Sequence, residues 1–311
     1  MALELRHLRY LLAVAEHHNF TRAAEELRIS QPTLSQQIKQ LERTVGVQLL
    51  DRGGRSVRLT DAGAVYVEHA RRALRDLAAA ERAVHDLADL TRGHLRLALT
   101  PTFTAYLLGP LLAALHEAHP AITVEVREMP QDRIEAALLA DDTDLGIAFH
   151  GVHLPGIAAT GLFTETLGLV VSVAAEDGPT ADPLPVAALA DRQLALLSGD
   201  FATRTHIDGY LAVHGVRPRI AVEANSVQAL TELVQRTALA TVLPDAVTDD
   251  HPRLARVRLT PPLPPRTVSL LRRDGGYLSA AARAFTTLAA TVATTRGYAP
   301  PAAGPPDQER P

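Results

Sequence analysis

The 311-residue chain contains no cysteine, so it can build neither a disulfide framework nor a thiolate metal site, which agrees with a reducing cytosol. No apolar run approaches the ~18 residues that a membrane span needs. The amino terminus, MALELRHLRY, has no secretory hydrophobic core, and the expectation is a soluble, cytoplasmic protein. Lys39 is the only lysine among 31 basic residues, a bias that reads as genome composition and not as function. The thirteen histidines show no HExxH or comparable ligand spacing, and no metal is predicted. A GxSxG elbow, a P-loop and a GxGxxG turn after a strand are all missing. The usual hydrolase and nucleotide-enzyme signals are therefore absent, no cofactor is called for, and a non-enzymatic role is expected.

What is present begins near the amino terminus. Residues 20–44, FTRAAEELRISQPTLSQQIKQLERT, read as two short amphipathic helices joined by a tight turn. Ala23, Ala24 and Leu27 recur at helical spacing, and Ser30 offers a capping oxygen just before Pro32, a residue tolerated in a helix's first turn. A second helix therefore starts at about Gln31. Its stripe of Leu34, Ile38, Leu41 and Val45 faces a core, while Gln31, Thr33, Ser35, Gln36 and Lys39 occupy the other face. Glutamine and serine side chains can pair with base edges, whereas a merely solvated helix more often carries Glu and Lys. A three-helix core unit with a polar surface is the plainer alternative. Two short runs follow, Val47–Leu50 and Ser56–Leu59, around Gly53-Gly54; this hairpin is a wing, and Arg52, Arg55 and Arg58 on it are placed for phosphates or a narrow minor groove. Residues 1–60 carry a net charge of +3 and the remainder −7, which suits a protein presenting one end to DNA.

The run from Phe20 to Arg52 resembles the amino-terminal signature of LysR-type transcriptional regulators, F-T-x-A-A-x-x-L-x-x-S-Q-P-x-L-S-x-Q-I-x-x-L-E-x-x-x-G-x-x-L-x-x-R. Segments DLTRG, TPTFTAYLLGPL, DLGIAF, LLSGDFATR and EANS look more narrowly like the cyanate-responsive regulator of that family. The likeness runs from about His7 to about Thr291. It implies an α/β protein with a winged helix-turn-helix over 1–60, a linker helix and hinge over 61–93, and a two-lobed effector domain over 94–295, like a periplasmic binding protein. Pro32 and its neighbours are expected to enter the major groove, with Gln31, Ser35 and Gln36 at base edges, Thr33 and Lys39 at phosphate, and Arg52 and Arg55 on adjacent backbone. It also implies a homo-oligomer, a dimer through the linker helix and a tetramer beyond it, with cyanate as effector; another small anion or catabolic metabolite is the alternative.

The residues support these divisions in their own right. Residues 60–88 hold the longest uninterrupted helical pattern, capped by Thr60, with Tyr66, Ala70, Leu74, Leu77, Val84 and Leu87 close to one stripe. At ~1.5 Å per residue such a helix reaches on the order of 40 Å and invites a partner helix from a second subunit, or else serves as a core helix of one large domain. Leu90 to Gly93 would be the hinge. Beyond it, strands at 94–100, 122–128, 144–149 and 167–173 alternate with helical patterns, and a second set lies at 193–198, 219–224, 239–244 and 267–273. This alternation predicts two α/β lobes with parallel sheets covered on both faces: lobe I over about 94–165 and 267–295, lobe II over about 166–266. The Pro-rich crossover TPPLPPR (260–266) returns the chain to the first lobe, and the proline-rich tail, 296–311, is expected to be disordered.

Two open α/β lobes place a ligand outside the carboxyl ends of their strands. Thr100, Pro101, Thr102, Phe103, Phe149, Ser198, Phe201, Thr203, Asn225 and Ser226 fall at such ends, where hydroxyls and free N–H groups suit an anion, though each could equally cap its own helix. Arg204 could pair with a negative ligand, with Asp200 or with Asp208. A ligand-binding protein without gene regulation is the rival of another class, at odds with the head domain.

Overall fold

The apolar stripes of the first 45 residues close into three helices, α1 (Leu5–His17), α2 (Phe20–Glu26) and α3 (Gln31–Val45). The computed structural model describes residues 3–53, 57–88, 93–174, 183–249 and 251–301. The chain divides into two units, Met1–His85 and Asp86–Pro311. In the first, Asn19 accepts hydrogen bonds from the backbone N–H of Thr21 and Arg22 and starts α2, and Ser30 Oγ accepts from Thr33 N at 3.3 Å and starts α3. Gly46, at φ +81°, ends α3 in the left-handed region. Leu34, Ile38 and Leu41 bury against Leu11, Val14, Ala23 and Ala24 of the other two helices. His7 Nε2 and Gln37 Oε1 meet at 2.9 Å and tie α1 to α3.

The hairpin forms as expected but shorter, β1 (Leu50–Asp51) pairing antiparallel with β2 (Arg58–Leu59). Gly54 and Arg55 lie outside the described residues. Thr60 caps α4 (Asp61–Ala88) by accepting from Gly63 N at 3.0 Å while donating to Gln48 O at 2.7 Å. A Cβ at Gly63 would stand 1.9 Å from the Leu49 carbonyl oxygen, so only glycine lets the hairpin meet this helix start. Along α4 the stripe is half-buried at Tyr66, buried at Ala70, half-buried at Leu74, and exposed at Leu77 and Val84. The side chain of Leu87, and residues 90–92 of the expected hinge, lie outside the described set.

In the second unit, β3 (His94–Leu99), β4 (Thr123–Glu128), β5 (Leu145–Phe149), β6 (Ile157–Glu165) and β14 (Arg266–Arg273) form a sheet in the order β4-β3-β5-β14-β6. Helix α7 (Gln131–Ala140) packs on one face through Ile134 and Leu138. The other face receives α6 (Leu108–Ala118) and α11 (Ala280–Thr295) through Leu111, Leu115, Ala282 and Phe285. The second sheet sets β7 (Leu167–Ser172) between β11 (Thr241–Pro244) and β12 (Leu254–Val257). Alongside, β9 (Gln193–Leu197) runs parallel to β10 (Arg219–Ala224) and joins the β11 segment through Ala195 N and Ala240 O at 2.8 Å. Helices α8 (Ala202–Val213) and α9 (Val227–Arg236) complete this lobe.

Three expectations change. The sheets are mixed, not parallel: β14 runs antiparallel to β5 and β6, and β7 antiparallel to both neighbours. The cause is connectivity, because the chain leaves the first sheet directly from β6 into β7 and returns on β14, with no helical crossover to enforce parallel pairing. Strands β6 and β12 add to the expected set. The tail is not disordered from residue 296: Thr164 pairs with Ala299, its Oγ1 donates to Pro300 O at 2.8 Å, and Tyr298 stacks on Phe163 with centroids 4.5 Å apart. An aromatic anchor and a free strand edge hold these residues despite the prolines; residues 302–311 lie outside the described set.

Candidate nucleic-acid interface and ligand crevice

Because α3 buries Leu34, Ile38 and Leu41, its other face is left outward as an open groove lined by Gln31, Pro32, Ser35, Gln36, Lys39, Gln40, Arg43 and Thr44. Gln31, Pro32, Thr33, Gln36 and Lys39 are exposed and Ser35 half-buried. Thr33 Oγ1 lies 2.7 Å from Ser30 Oγ, so its hydroxyl is part of the helix cap. Gln40, Arg43 and Thr44 extend the expected set by one helical turn, at the i+4 spacing that readable periodicity already offered. Arg52 is placed differently from the expectation. Its Nη2 donates to Glu42 Oε2 at 2.9 Å and its guanidinium lies over the Phe20 ring at 5.2 Å, which braces the hairpin against α3 and α2. Arg58 is exposed and, among the described residues, unpaired.

Between the two lobes of the second unit, strand ends converge on an inner chamber of about 230 Å³. Thr100, Pro101, Thr102, Phe149, Phe201, Thr203 and Asn225 all line it. Phe103 does not; it is fully buried behind Phe149, with ring centroids 5.0 Å apart. Ser198 donates to Asp200 at 2.6 Å, and Ser226 caps α9 and lines an adjoining outer chamber of about 430 Å³. Arg204 is held by Asp208 at 2.9 Å, Leu197 O at 2.7 Å and Glu223 at 3.1 Å, not by Asp200. Sequence reasoning missed Glu128, Met129, Pro130 and Gln131, which also line the inner chamber, and Asp200 and Ala202 beside Phe201. The strand-then-helix pattern around EMPQ carried the same signal as the segments that were found.

The inner wall is rigidly held. Gln131 Oε1 accepts from Phe149 N, and its Nε2 donates to Phe149 O, both at 3.2 Å. Thr102 Oγ1 meets Thr203 Oγ1 from the opposite lobe at 3.1 Å. Behind them Arg266 donates from Nη2 to Thr203 Oγ1 at 2.9 Å and from Nε to Glu165 Oε2 at 2.6 Å, with its guanidinium 3.6 Å from the Phe149 ring centroid. Tyr106 OH donates to Glu165 Oε1 at 2.5 Å. Burial raises the Glu165 carboxyl above the usual range against the pull of Arg266, and burial beside Glu165 pushes the Tyr106 phenol well up. Glu165 and Arg266 face each other where the chain leaves and re-enters the first sheet, so this network sits at the crossovers between the lobes. Thr100 Oγ1, by contrast, is buried without a partner. Among the described residues, no group of three His, Asp or Glu could hold a metal, and no helix is long and apolar enough to cross a membrane.

Known proteins share both units. Residues 5–64 match the bacterial regulatory helix-turn-helix protein family of lysR type, and residues 88–294 match the LysR substrate binding domain. OxyR of Escherichia coli K12, a DNA-binding transcriptional dual regulator, is 32% identical over 281 residues, covering 89% of this chain and 91% of its own length. A full-length OxyR variant from Pseudomonas aeruginosa shares the fold at a TM-score of 0.68 and 24% identity, over 98% of this chain and 100% of that one. Full-length CbnR in complex with its target DNA matches at a TM-score of 0.55 and 28% identity, over 94% of this chain and 100% of its own. The chain belongs to the LysR family of DNA-binding transcriptional regulators.

Proposed function

We propose that the protein reads a specific DNA site with the exposed face of α3 and that a small molecule in the inner chamber sets the outcome. The supporting observation is the division of α3 itself, with three aliphatic residues fully buried and Gln31, Ser35, Gln36 and Lys39 turned outward beside Arg43. Gln31, Ser35 and Gln36 meet base edges, Pro32 sets the helix entry, and Thr33 and Lys39 meet phosphate. Arg58 and Arg55 are the wing's phosphate contacts, while Arg52 positions the hairpin. The protein acts in the cytoplasm as a dimer through the exposed apolar stripe of α4, and by family resemblance as a tetramer. A ligand that favours one state changes DNA affinity by the factor with which DNA changes its own.

Activation of hydrogen-peroxide-inducible genes, for which several relatives are named, does not transfer through a thiol, because this chain has no cysteine. Cyanate is the narrower reading of the effector. It rests on segment likeness alone, and the Glu128 and Asp200 carboxylates in the chamber lining weigh against an anion there. Selection of duplexes from a randomised pool by the full-length protein tests the main reading. A partly symmetric motif is expected; recovery of no motif above a scrambled background would overturn it.

A further inference from the structure

The charges around the inner chamber favour a different ligand from a small anion. Glu128 and Asp200 both line it, one from each lobe, and both are exposed. Glu128 accepts from Thr104 Oγ1 at 2.8 Å and Asp200 from Ser198 Oγ at 2.6 Å, and among the described residues neither has a cation partner. No lysine, arginine or histidine lines this chamber. The two guanidiniums nearby are already committed, Arg204 to Asp208 and Glu223, and Arg266 to Glu165 and the Phe149 face. An anion held here would lie against two carboxylates with no cation in the lining to offset them.

A second, independent feature points to a ligand. Thr100 is 5% exposed, lines the chamber, and its Oγ1 has no hydrogen-bond partner. A buried hydroxyl left in this state is satisfied when a ligand brings an acceptor or donor to it. The volume of 230 Å³ corresponds to roughly eight waters' share of liquid, enough for a compact organic molecule and generous for a triatomic ion.

We propose that the inner chamber takes a compact amine, with its ammonium between Glu128 and Asp200 and a polar acceptor such as an amide or carbonyl oxygen against the Thr100 hydroxyl. This rests on the crevice being the effector site. Phe149 and Phe201 flank the alkyl part, and Asn225 stands at the opening shared with the outer chamber.

Calorimetric titration of the full-length protein with four probes decides it: 4-aminobutanamide, pentanamide, succinamate and cyanate. The first is expected to bind at least tenfold more tightly than pentanamide, with succinamate and cyanate weakest. The Glu128→Gln, Asp200→Asn double variant should erase the tenfold preference and keep the pentanamide affinity. Ala202→Trp fills the chamber from an exposed position and should abolish binding of all four while leaving the thermal midpoint unchanged. Preference for succinamate or cyanate, abolished by Ala202→Trp, would overturn the amine assignment and leave the crevice reading intact. Binding that survives Ala202→Trp would overturn the crevice reading and the proposal with it. Failure of 4-aminobutanamide to bind the parent protein would overturn the amine assignment.

Discussion

Glu42 on α3 and Arg52 beyond β1 are joined at 2.9 Å, and the same carboxylate accepts from the backbone N–H of Leu49 and Leu50 at 2.9 and 3.1 Å. One side chain thus sets the angle between the reading helix and the hairpin. Both leucines are fully buried, so removing the carboxylate leaves two donors that water cannot reach. Glu42→Ala is expected to destabilise the first unit by about 2–4 kcal/mol in denaturant unfolding. Arg52→Ala should cost less, about 1–2 kcal/mol, and a double-mutant cycle should show coupling between the two. Additive single effects would deny the brace.

The exposed stripe of α4 predicts assembly. Leu74 is half-buried and Leu77 is 43% exposed, with Val84 further along at 68%. If a second copy covers them, Leu74→Arg with Leu77→Arg places charge at the seam and halves the mass seen in sedimentation, while the far-UV spectrum stays that of the parent. An unchanged mass in a folded double variant would exclude this helix as the interface.

The crossover network predicts an asymmetry between single and paired changes. Arg266→Met strands the buried Glu165 carboxylate and is expected to cost about 3–5 kcal/mol. Adding Glu165→Gln removes the charge, keeps an acceptor for Tyr106 and should recover most of that loss. A double variant as unstable as the single one would show that Arg266 acts through packing on Phe149 alone.

Acid sensitivity has a specific contributor. Burial holds the His206 imidazole below the ordinary histidine value of about 6.5, with the Pro264 carbonyl opposing and Arg266 adding to the shift. The unfolded chain then binds the proton first as pH falls, so stability rises with pH through the window just below that value and is lost on acidification through the folded value. His206→Gln can keep a donor for Pro264 O and should flatten this part of the profile when unfolding midpoints at about pH 5 and pH 7.5 are compared. An equally steep profile would assign the sensitivity elsewhere.

The parts that could be read from sequence are those whose signal is local. Ser30, Pro32 and the Leu34–Ile38–Leu41 stripe specify α3 within one turn of chain, and α3 starts at Gln31 as that reading requires. Thr100, Phe149 and Asn225 are legible because each falls at the end of a strand pattern. What escaped depends on pairing at long range. Arg52 looks free in sequence and is bound to a carboxylate ten residues away; Phe103 follows the same strand end as Thr102 yet points into the core. Strand β6, IAATGLFTE, lacks clean alternation and exists because β14 returns beside it. Tyr298 anchors a proline-rich segment through two aromatic rings, Phe163 and Tyr106, brought near only by the fold.

The most direct test of the account is the ratio of affinities for a selected operator and a scrambled duplex, measured at one salt concentration for the parent, Gln36→Ala and Lys39→Ala. Gln36 reading a base predicts a loss of discrimination on the order of 1–3 kcal/mol in its variant, while Lys39→Ala weakens both duplexes alike and reduces the salt dependence. An unchanged ratio for Gln36→Ala, with full affinity for both duplexes, would contradict the assignment of the α3 face as the surface that reads DNA.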